Sequence, residues 1–372
     1  MKVAYVLDSL NRGGAEILAI DVCRNAARHG LEMTLIATGG GTLEDDFRNS
    51  GVEFITLKRR LPVDLNVVRQ IRKILIESNI KVVHSYQAVE MVHAYLATKG
   101  TNIKRVLSFH GHIPDAKNRL SLKFLIPRLD ANIIISQALK NSLRLDDGLD
   151  LEHNLKFIFN GVDETRLVRP DRDIRQEMGL DEKSILLGMV ANFYPAPRKD
   201  HLTVCRALPQ VFREIPDAHF LFVHSGGVNE DKDKIKACMD VCEAAGISNR
   251  VHFLENRFPA MDVVRNLDIF VLSSLHEGLP IAVKEAMLLS KPCVLSDIEP
   301  LIEISDGGKH GVIFKTGDAD DLAEKLISIV RNPQQRKELG ESGRRWAAEN
   351  FSIDAHLRSL TALYQELTEG QV

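Results

Sequence analysis

The sequence predicts an α/β protein of two Rossmann-like domains, each a doubly wound parallel sheet, facing one another across a cleft. Three observations carry this. Short apolar runs alternate with longer stretches of helical spacing, and the alternation is repeated along the chain. Most runs are apolar without strict alternation, as parallel strands covered on both faces require. Glycine-bearing loops follow strands in both halves, where open α/β sheets take their ligands. A chain of 372 residues is also long enough for two domains of ordinary size.

In the first half the strand-like runs are Val3–Leu7, Met33–Ala37, Val52–Leu57, Lys81–His84, Val106–His110, Asn132–Ser136 and Lys156–Asn160. Between them, Leu65–Leu75 places Val68, Ile71, Ile74 and Leu75 on one helical face and Arg69, Arg72 and Lys73 away from it. The second half repeats the pattern at Ile185–Val190, His219–His224, Val251–Leu254, Ile269–Leu272 and Pro292–Leu295. The polar stretch 160–171 is the expected hinge, dividing a first domain, 1–163, from a second, 164–352. A last helix, about Ile353–Glu369, follows Ser352, which can cap it. This C-terminal segment, 353–372, is expected to pack back on the first domain.

Composition narrows the class. Hydrophobic residues make up 44% and charged residues 27%, a globular balance. The first residues begin a strand rather than a signal peptide, and no apolar run approaches a membrane span, so a cytoplasmic location is expected. Five cysteines with no C-x-x-C pair do not form a disulfide framework, and free, partly buried thiols are expected. Residues 1–150 carry 21 Lys and Arg against 16 Asp and Glu; the remainder carries 27 against 35. The basic excess suits an anionic acceptor or membrane surface, and equally an uneven surface with no partner. Lys58-Arg59-Arg60 with Arg69, Arg72 and Lys73 are the charges that would form such a patch. Nucleic acid is not expected as a partner.

The chemistry concentrates in Ser274-Leu275-His276-Glu277-Gly278-Leu279-Pro280-Ile281-Ala282-Val283-Lys284-Glu285-Ala286-Met287. It follows an apolar strand and opens a helix. Gly278 lets a ligand approach the backbone, and Pro280 suits the first turn. Free amides there favour an anion such as a diphosphate. Glu277 at the loop tip and Glu285 two turns along can accept hydrogen bonds from sugar and ribose hydroxyls. Equally, Glu277 fits as a first-turn acid favoured by the dipole, and Glu285 as a solvated helix charge. His110, in Ser108-Phe109-His110-Gly111-His112, ends a strand and would point at the cleft. On its own, such a histidine reads more readily as a structural residue.

Glu277-x7-Glu285, with Gly-Leu-Pro after the first acid and Ala-Met after the second, resembles the signature of glycosyltransferase family 4. Four further segments resemble that family in order: Asn11-Arg12-Gly13-Gly14-Ala15-Glu16, Phe159-Asn160-Gly161-Val162-Asp163, Arg250–Leu254 and Asp268–Ser274. The resemblance implies the GT-B fold and retention of anomeric configuration without a metal. It implies a nucleotide-sugar donor, a UDP-sugar first and a GDP-sugar second, and a glycan or lipid-linked acceptor. No cofactor is implied. By the same resemblance, Glu285 binds the ribose, Glu277 and His110 the donor sugar, and Gly278 and Leu279 sugar or phosphate through backbone amides. Lys199, in Pro197-Arg198-Lys199-Asp200-His201, neutralises the diphosphate, and Gly13 and Gly14 close its other side. Asn256 and Arg257 are expected near the base. Two departures stand out: Asn192 occupies a place where the family often has Arg, with Arg198 as the proposed substitute, and Glu299-Pro300 stands where two glycines are common.

Rival readings lack their signatures. A nicotinamide oxidoreductase should show G-x-G-x-x-G, which neither Asn11-Arg12-Gly13-Gly14 nor Gly39-Gly40-Gly41 supplies. A non-catalytic sugar-nucleotide-binding subunit stays as the alternative: intact Glu277, Glu285 and Lys199 argue against it, and turnover of a sugar nucleotide decides between the two. Asp171-Arg172-Asp173, Asp231-Lys232-Asp233 and Asp318-Ala319-Asp320 resemble metal-binding pairs, but none ends an apolar strand, and all read as solvated loops.

Overall fold

The computed structural model describes residues 1–111, 113, 115–168, 172–224, 230–255 and 260–369. It divides into two compact units, residues 1–163 with 350–372, and residues 164–349. The first unit is built on a seven-stranded sheet of β1 (Lys2–Leu7), β2 (Glu32–Ala37), β3 (Glu53–Thr56), β4 (Val82–Ser85), β5 (Lys104–Phe109), β6 (Ala131–Ile134) and β7 (Leu155–Phe157). Their order is β3-β2-β1-β4-β5-β6-β7, and every pairing is parallel. Val3 stands between Met33 and Val82, and Tyr5 between Leu35 and His84. Order reverses between β1 and β4, so the loops after these strands diverge and leave a ligand crevice at the carboxyl edge.

The second unit repeats the plan with β8 (Ile185–Val190), β9 (Ala218–His224), β10 (Val251–Glu255), β11 (Ile269–Leu272), β12 (Cys293–Ser296) and β13 (Val312–Phe314). The order β10-β9-β8-β11-β12-β13 places its reversal between β8 and β11. The sequence reading lacks β13, a three-residue edge strand. It also runs several strands too far: β5 stops at Phe109, so His110 stands one residue past the strand rather than ending it.

Glycine placement follows from packing at two positions. A Cβ on Gly39 would lie 2.0 Å from the Asp8 carbonyl oxygen, and one on Gly41 2.2 Å from the Leu10 backbone. The loop after β2 therefore presses on the loop after β1 and needs glycine for contact within the unit.

The helix Ile353–Glu369 belongs to the first unit's core. Ser352 Oγ caps it by accepting the Ala355 N–H at 3.2 Å. Ile353, Leu357, Leu360, Leu363 and Tyr364 pack with Val3, Tyr5 and Leu18. Tyr364 Oη lies 2.6 Å from His84 Nδ1, and His84 Nε2 lies 2.7 Å from Ser108 Oγ. Burial holds the His84 pKa well below its usual value, so the ring is neutral and offers one donor and one acceptor. Val162 and Ser352 form a parallel bridge, and the Val162 N–H donates to the Phe351 carbonyl at 2.8 Å. The chain thus leaves and re-enters this unit side by side. Of the expected hinge, Arg169, Pro170 and Asp171 lie outside the described residues.

The basic residues read as one patch are divided by their partners. Arg59 turns inward, 3.3 Å from Asp8 Oδ2 and 3.6 Å from Glu90 Oε1. Arg72 donates at 2.8 Å to the Ala97 and Lys99 carbonyls, and Lys73 lies 3.9 Å from Glu77. Lys58, Arg60, Arg69 and Lys73 remain exposed. Sequence spacing placed the Cα atoms; carboxylates and helix-end carbonyls chose the side-chain directions.

Glu90 is wholly buried in the first turn of the helix Ala88–Ala97, where Thr38 Oγ1 donates to it at 3.1 Å. Burial, then the Asp8 charge, raises its pKa from 4.5 to about 7 against the pull of Arg59. A carboxyl with a raised folded pKa binds an extra proton in the native state between the two values. Its contribution to stability therefore declines as pH rises from 4.5 to about 7. Glu90→Gln should melt above the wild type at about pH 8, with the gap closing toward about pH 5. Thermal melts across that range check this, and a gap that widens on acidification refutes it.

Candidate active site

The strongest candidate lies at the carboxyl edge of the second sheet, beside the β8–β11 reversal. The loop after β8 returns as a short antiparallel partner of the segment after β11. Lys199 bridges Ser274, the Asp200 N–H donates to the Ser273 carbonyl at 3.0 Å, and the Leu275 and His276 N–H groups donate to the Arg198 carbonyl at 2.7 and 3.2 Å. Ser296 Oγ, at the end of β12, accepts the Ser274 N–H at 2.8 Å. Asp200 then caps the helix His201–Glu214 by accepting the Thr203 N–H. The loops after β8 and β11 are thus joined through backbone, and the Ser296 hydroxyl ties the end of β12 to them.

This ladder brings Lys199 and Glu277 together. The Lys199 ammonium donates to Glu277 Oε1, and Ser274 Oγ donates to the same oxygen at 2.7 Å. The two side chains are only 17% and 11% exposed, so Glu277 is turned inward rather than placed at a loop tip. Removing one partner of such a sheltered pair would leave an uncompensated charge. Oε1 carries both bonds, which leaves Oε2 as the acceptor for an incoming hydroxyl. Lys199, disfavoured as a cation beside a helix start, is held by this carboxylate.

Beyond Glu277 the chain enters the helix Ile281–Leu288. Pro280 occupies its N-cap and supplies no side-chain cap, so first-turn amides are left for a ligand. A Cβ on Gly278 would meet nothing within 4 Å, and its φ is not in the left-handed range. Packing inside the unit does not call for glycine there; open space in front of the backbone is what an approaching ligand needs. Leu279 is buried, and Glu285 is half-buried in the second turn. Lys284, next to Glu285, is fully buried, and burial lowers its pKa to about 7 against the pull of Glu285.

The remaining candidates are placed unequally. Arg198 is exposed and contributes its carbonyl to the ladder; Asn192 donates to Tyr194 Oη at 2.9 Å. Asn256 and Arg257 lie outside the described residues. In the first unit, Gly13 is the N-cap of the helix Gly14–Asn25, and a Cβ there would meet Glu16 Oε2 at 2.4 Å. The His110 ring stands edge-on to Tyr86, 4.4 Å between centroids, and the two help line a cavity of about 230 Å³ with Gln87, Ser108 and Asn118. His112, its neighbour in sequence, is outside the described residues. Asp173, Asp231 and Asp318 each cap a helix N-terminus, which gives the three Asp-x-Asp runs a structural role. All five cysteines are free and buried. Sequence reasoning missed the bond from Ser274 to Glu277, although Ser274 lies in the quoted motif.

Comparison with known proteins bears on the family and the fold. The family model described as Glycosyl transferases group 1 matches residues 170–346, and that described as Glycosyltransferase Family 4 matches residues 12–166. The chain is 22% identical to N-acetyl-alpha-D-glucosaminyl L-malate synthase of Bacillus anthracis, over 95% of this chain and 94% of that protein. It is 22% identical to the UDP-Gal:alpha-D-GlcNAc-diphosphoundecaprenol alpha-1,3-galactosyltransferase of Escherichia coli, over 89% and 88% respectively. Among solved structures, Anabaena HepE in complex with UDP superposes with a TM-score of 0.83 at 18% identity, covering 98% of this chain and 100% of that one. With its two parallel-sheet units, the chain has the GT-B fold.

Gly278→Ala should leave stability within about 0.5 kcal/mol, since the added methyl meets only open space. Turnover of a nucleotide sugar should nevertheless fall at least roughly tenfold, about 1.4 kcal/mol in the barrier. Thermal melts beside initial rates test the ligand-facing role; unchanged rates refute it.

Proposed function

Because this chain belongs to the group 1, family 4 glycosyltransferases, we propose that it is a retaining, metal-independent hexosyltransferase working on a nucleotide-sugar donor. The acceptor is a hydroxyl of a glycan or lipid-linked acceptor in bacterial cell-surface synthesis. A UDP-sugar is the favoured donor and a GDP-sugar the second choice. The UDP-Gal-using galactosyltransferase of Escherichia coli and the Anabaena structure in complex with UDP, both similar to this chain, support that order.

The observation that carries the reading is the Lys199–Glu277–Ser274 cluster beside the open N-terminus of Ile281–Leu288. Cleaving the bond from sugar to diphosphate builds negative charge on the leaving group and positive character on the sugar. The Lys199 ammonium and the first-turn amides stabilise the leaving group where its charge develops. Glu277 Oε2 accepts a sugar hydroxyl, and Glu285 accepts from the ribose. Front-face attack by the acceptor hydroxyl, with the departing phosphate helping to take the proton, needs no protein nucleophile. Among the described residues, no three His, Cys, Asp or Glu side chains gather as a metal site would need.

Turnover of a sugar nucleotide should persist in EDTA and yield product with the donor's anomeric configuration. Proton NMR of the product in the presence of chelator is the test. Activity lost to EDTA and restored by Mg²⁺ or Mn²⁺, or an inverted product, overturns the reading.

The two acids should separate by ligand. Glu285→Ala should weaken free UDP by roughly 1.5–3 kcal/mol, the cost of an uncompensated hydrogen bond to a charged group. Glu277→Gln, whose amide oxygen can still accept from Lys199 and Ser274, should bind free UDP nearly as the wild type does, because the sugar contact is absent, yet turn over slowly. Calorimetry showing the larger loss in Glu277→Gln refutes the assignment.

A further inference from the structure

The segment that delivers Lys199 is gripped from its other side by residues with no place in the family resemblance. The Phe193 N–H donates to Glu230 Oε1 at 3.2 Å, and the Asp231 N–H donates to the Phe193 carbonyl at 2.6 Å. Lys234 Nζ then donates to three successive carbonyls, Tyr194 at 2.9 Å, Pro195 at 2.8 Å and Ala196 at 3.4 Å. Glu230 is anchored in turn by His224, 2.8 Å away across a buried contact. Lys234 sits in the first turn of the helix Lys232–Ala244, where the macrodipole disfavours a cation. Three carbonyl dipoles offset that cost and use all three ammonium hydrogens.

Tyr194, Pro195 and Ala196 are themselves exposed, and little apolar contact holds them. Between Phe193 and the bridge at Lys199 they are held by these polar bonds, together with the Arg198 N–H donating to the Ala196 carbonyl at 2.8 Å and Asn192 donating to Tyr194 Oη at 2.9 Å. Lys199 and Lys234 also line one cavity of about 190 Å³. A loop left loose at this point would let Lys199 sample positions away from the diphosphate, and ordering it would then be charged against binding.

We propose that Lys234 is a positioning residue for the donor diphosphate, acting through the backbone of 194–196 to hold Lys199 in place. This rests on the reading of Lys199 as the diphosphate cation. In place of Arg198, which the family resemblance offered as the substitute for an arginine at position 192, the second cation serving the diphosphate acts on the loop's carbonyls.

The test is calorimetry of the full chain with UDP and uridine, or with GDP and guanosine where the wild type prefers them, using Lys234→Met, Lys234→Arg, Lys199→Ala and the Lys199→Ala/Lys234→Met double variant. Lys234→Met should bind UDP about tenfold more weakly, while uridine, which lacks the diphosphate, is unaffected. Lys234→Arg should recover part of the loss. In the Lys199→Ala background, Lys234→Met should add no further loss, since its effect passes through Lys199. Equal losses for UDP and uridine, or full additivity in the double variant, overturn the positioning role. A wild type that binds UDP while Lys199→Ala loses nothing overturns the diphosphate reading itself. A wild type that binds neither UDP nor GDP overturns both.

Discussion

The candidate site depends on one short stretch of backbone pairing. Where Arg198–Asp200 lies against Ser273–His276, two loops from neighbouring strands of one sheet become a single surface. Without that pairing, Lys199 and Glu277, 78 positions apart, would be two charges on separate loops. With it, they form a sheltered pair whose shared oxygen also receives Ser274. Backbone hydrogen bonds suit this task because they fix position without constraining which side chains point outward. Catalytic side chains can therefore be tuned on a frame that does not depend on them.

Sequence pattern reads the frame well and side-chain direction poorly. Among the described residues, twelve of the thirteen strands are legible as short apolar runs, most of them rich in Val and Ile because both faces are covered. β13 escapes notice because Val312–Phe314 is short, lies at an edge and is bounded by glycine-bearing turns. Glu277, Glu285 and Lys199 are legible through their resemblance to a family pattern, but the pattern does not contain their pairing. The inward turn of Arg59 depends on Asp8 and Glu90, 51 and 31 positions away, and no window of sequence displays it. The grip of Lys234 on Tyr194–Ala196 is hidden for the same reason: its partners are carbonyls, which every residue possesses.

Glycines separate into two kinds by what surrounds them. Gly39 and Gly41 touch the backbone of the loop after β1 so closely that a methyl cannot fit. Gly161 is similar, with a Cβ there 2.8 Å from both His356 Cβ and Ile353 Cα, where the returning chain passes. Gly278 faces open space. The first kind reports on folding and the second on what the protein meets. A glycine motif alone does not say which is present; Gly39-Gly40-Gly41 looks as much like a phosphate loop as Gly13-Gly14 does until the contacts are known.

The helix Ile353–Glu369 places the two ends of the chain in one core, with Tyr364 beside Tyr5 and His84. This has a consequence during synthesis on the ribosome. The unit that emerges first cannot finish its interior until the last helix is made, while residues 164–349 can close on themselves as they appear. At roughly 5–20 residues per second, the earlier sheet waits on the order of ten to forty seconds with the Tyr364 berth uncovered. A truncation near residue 350 would strand it in that condition.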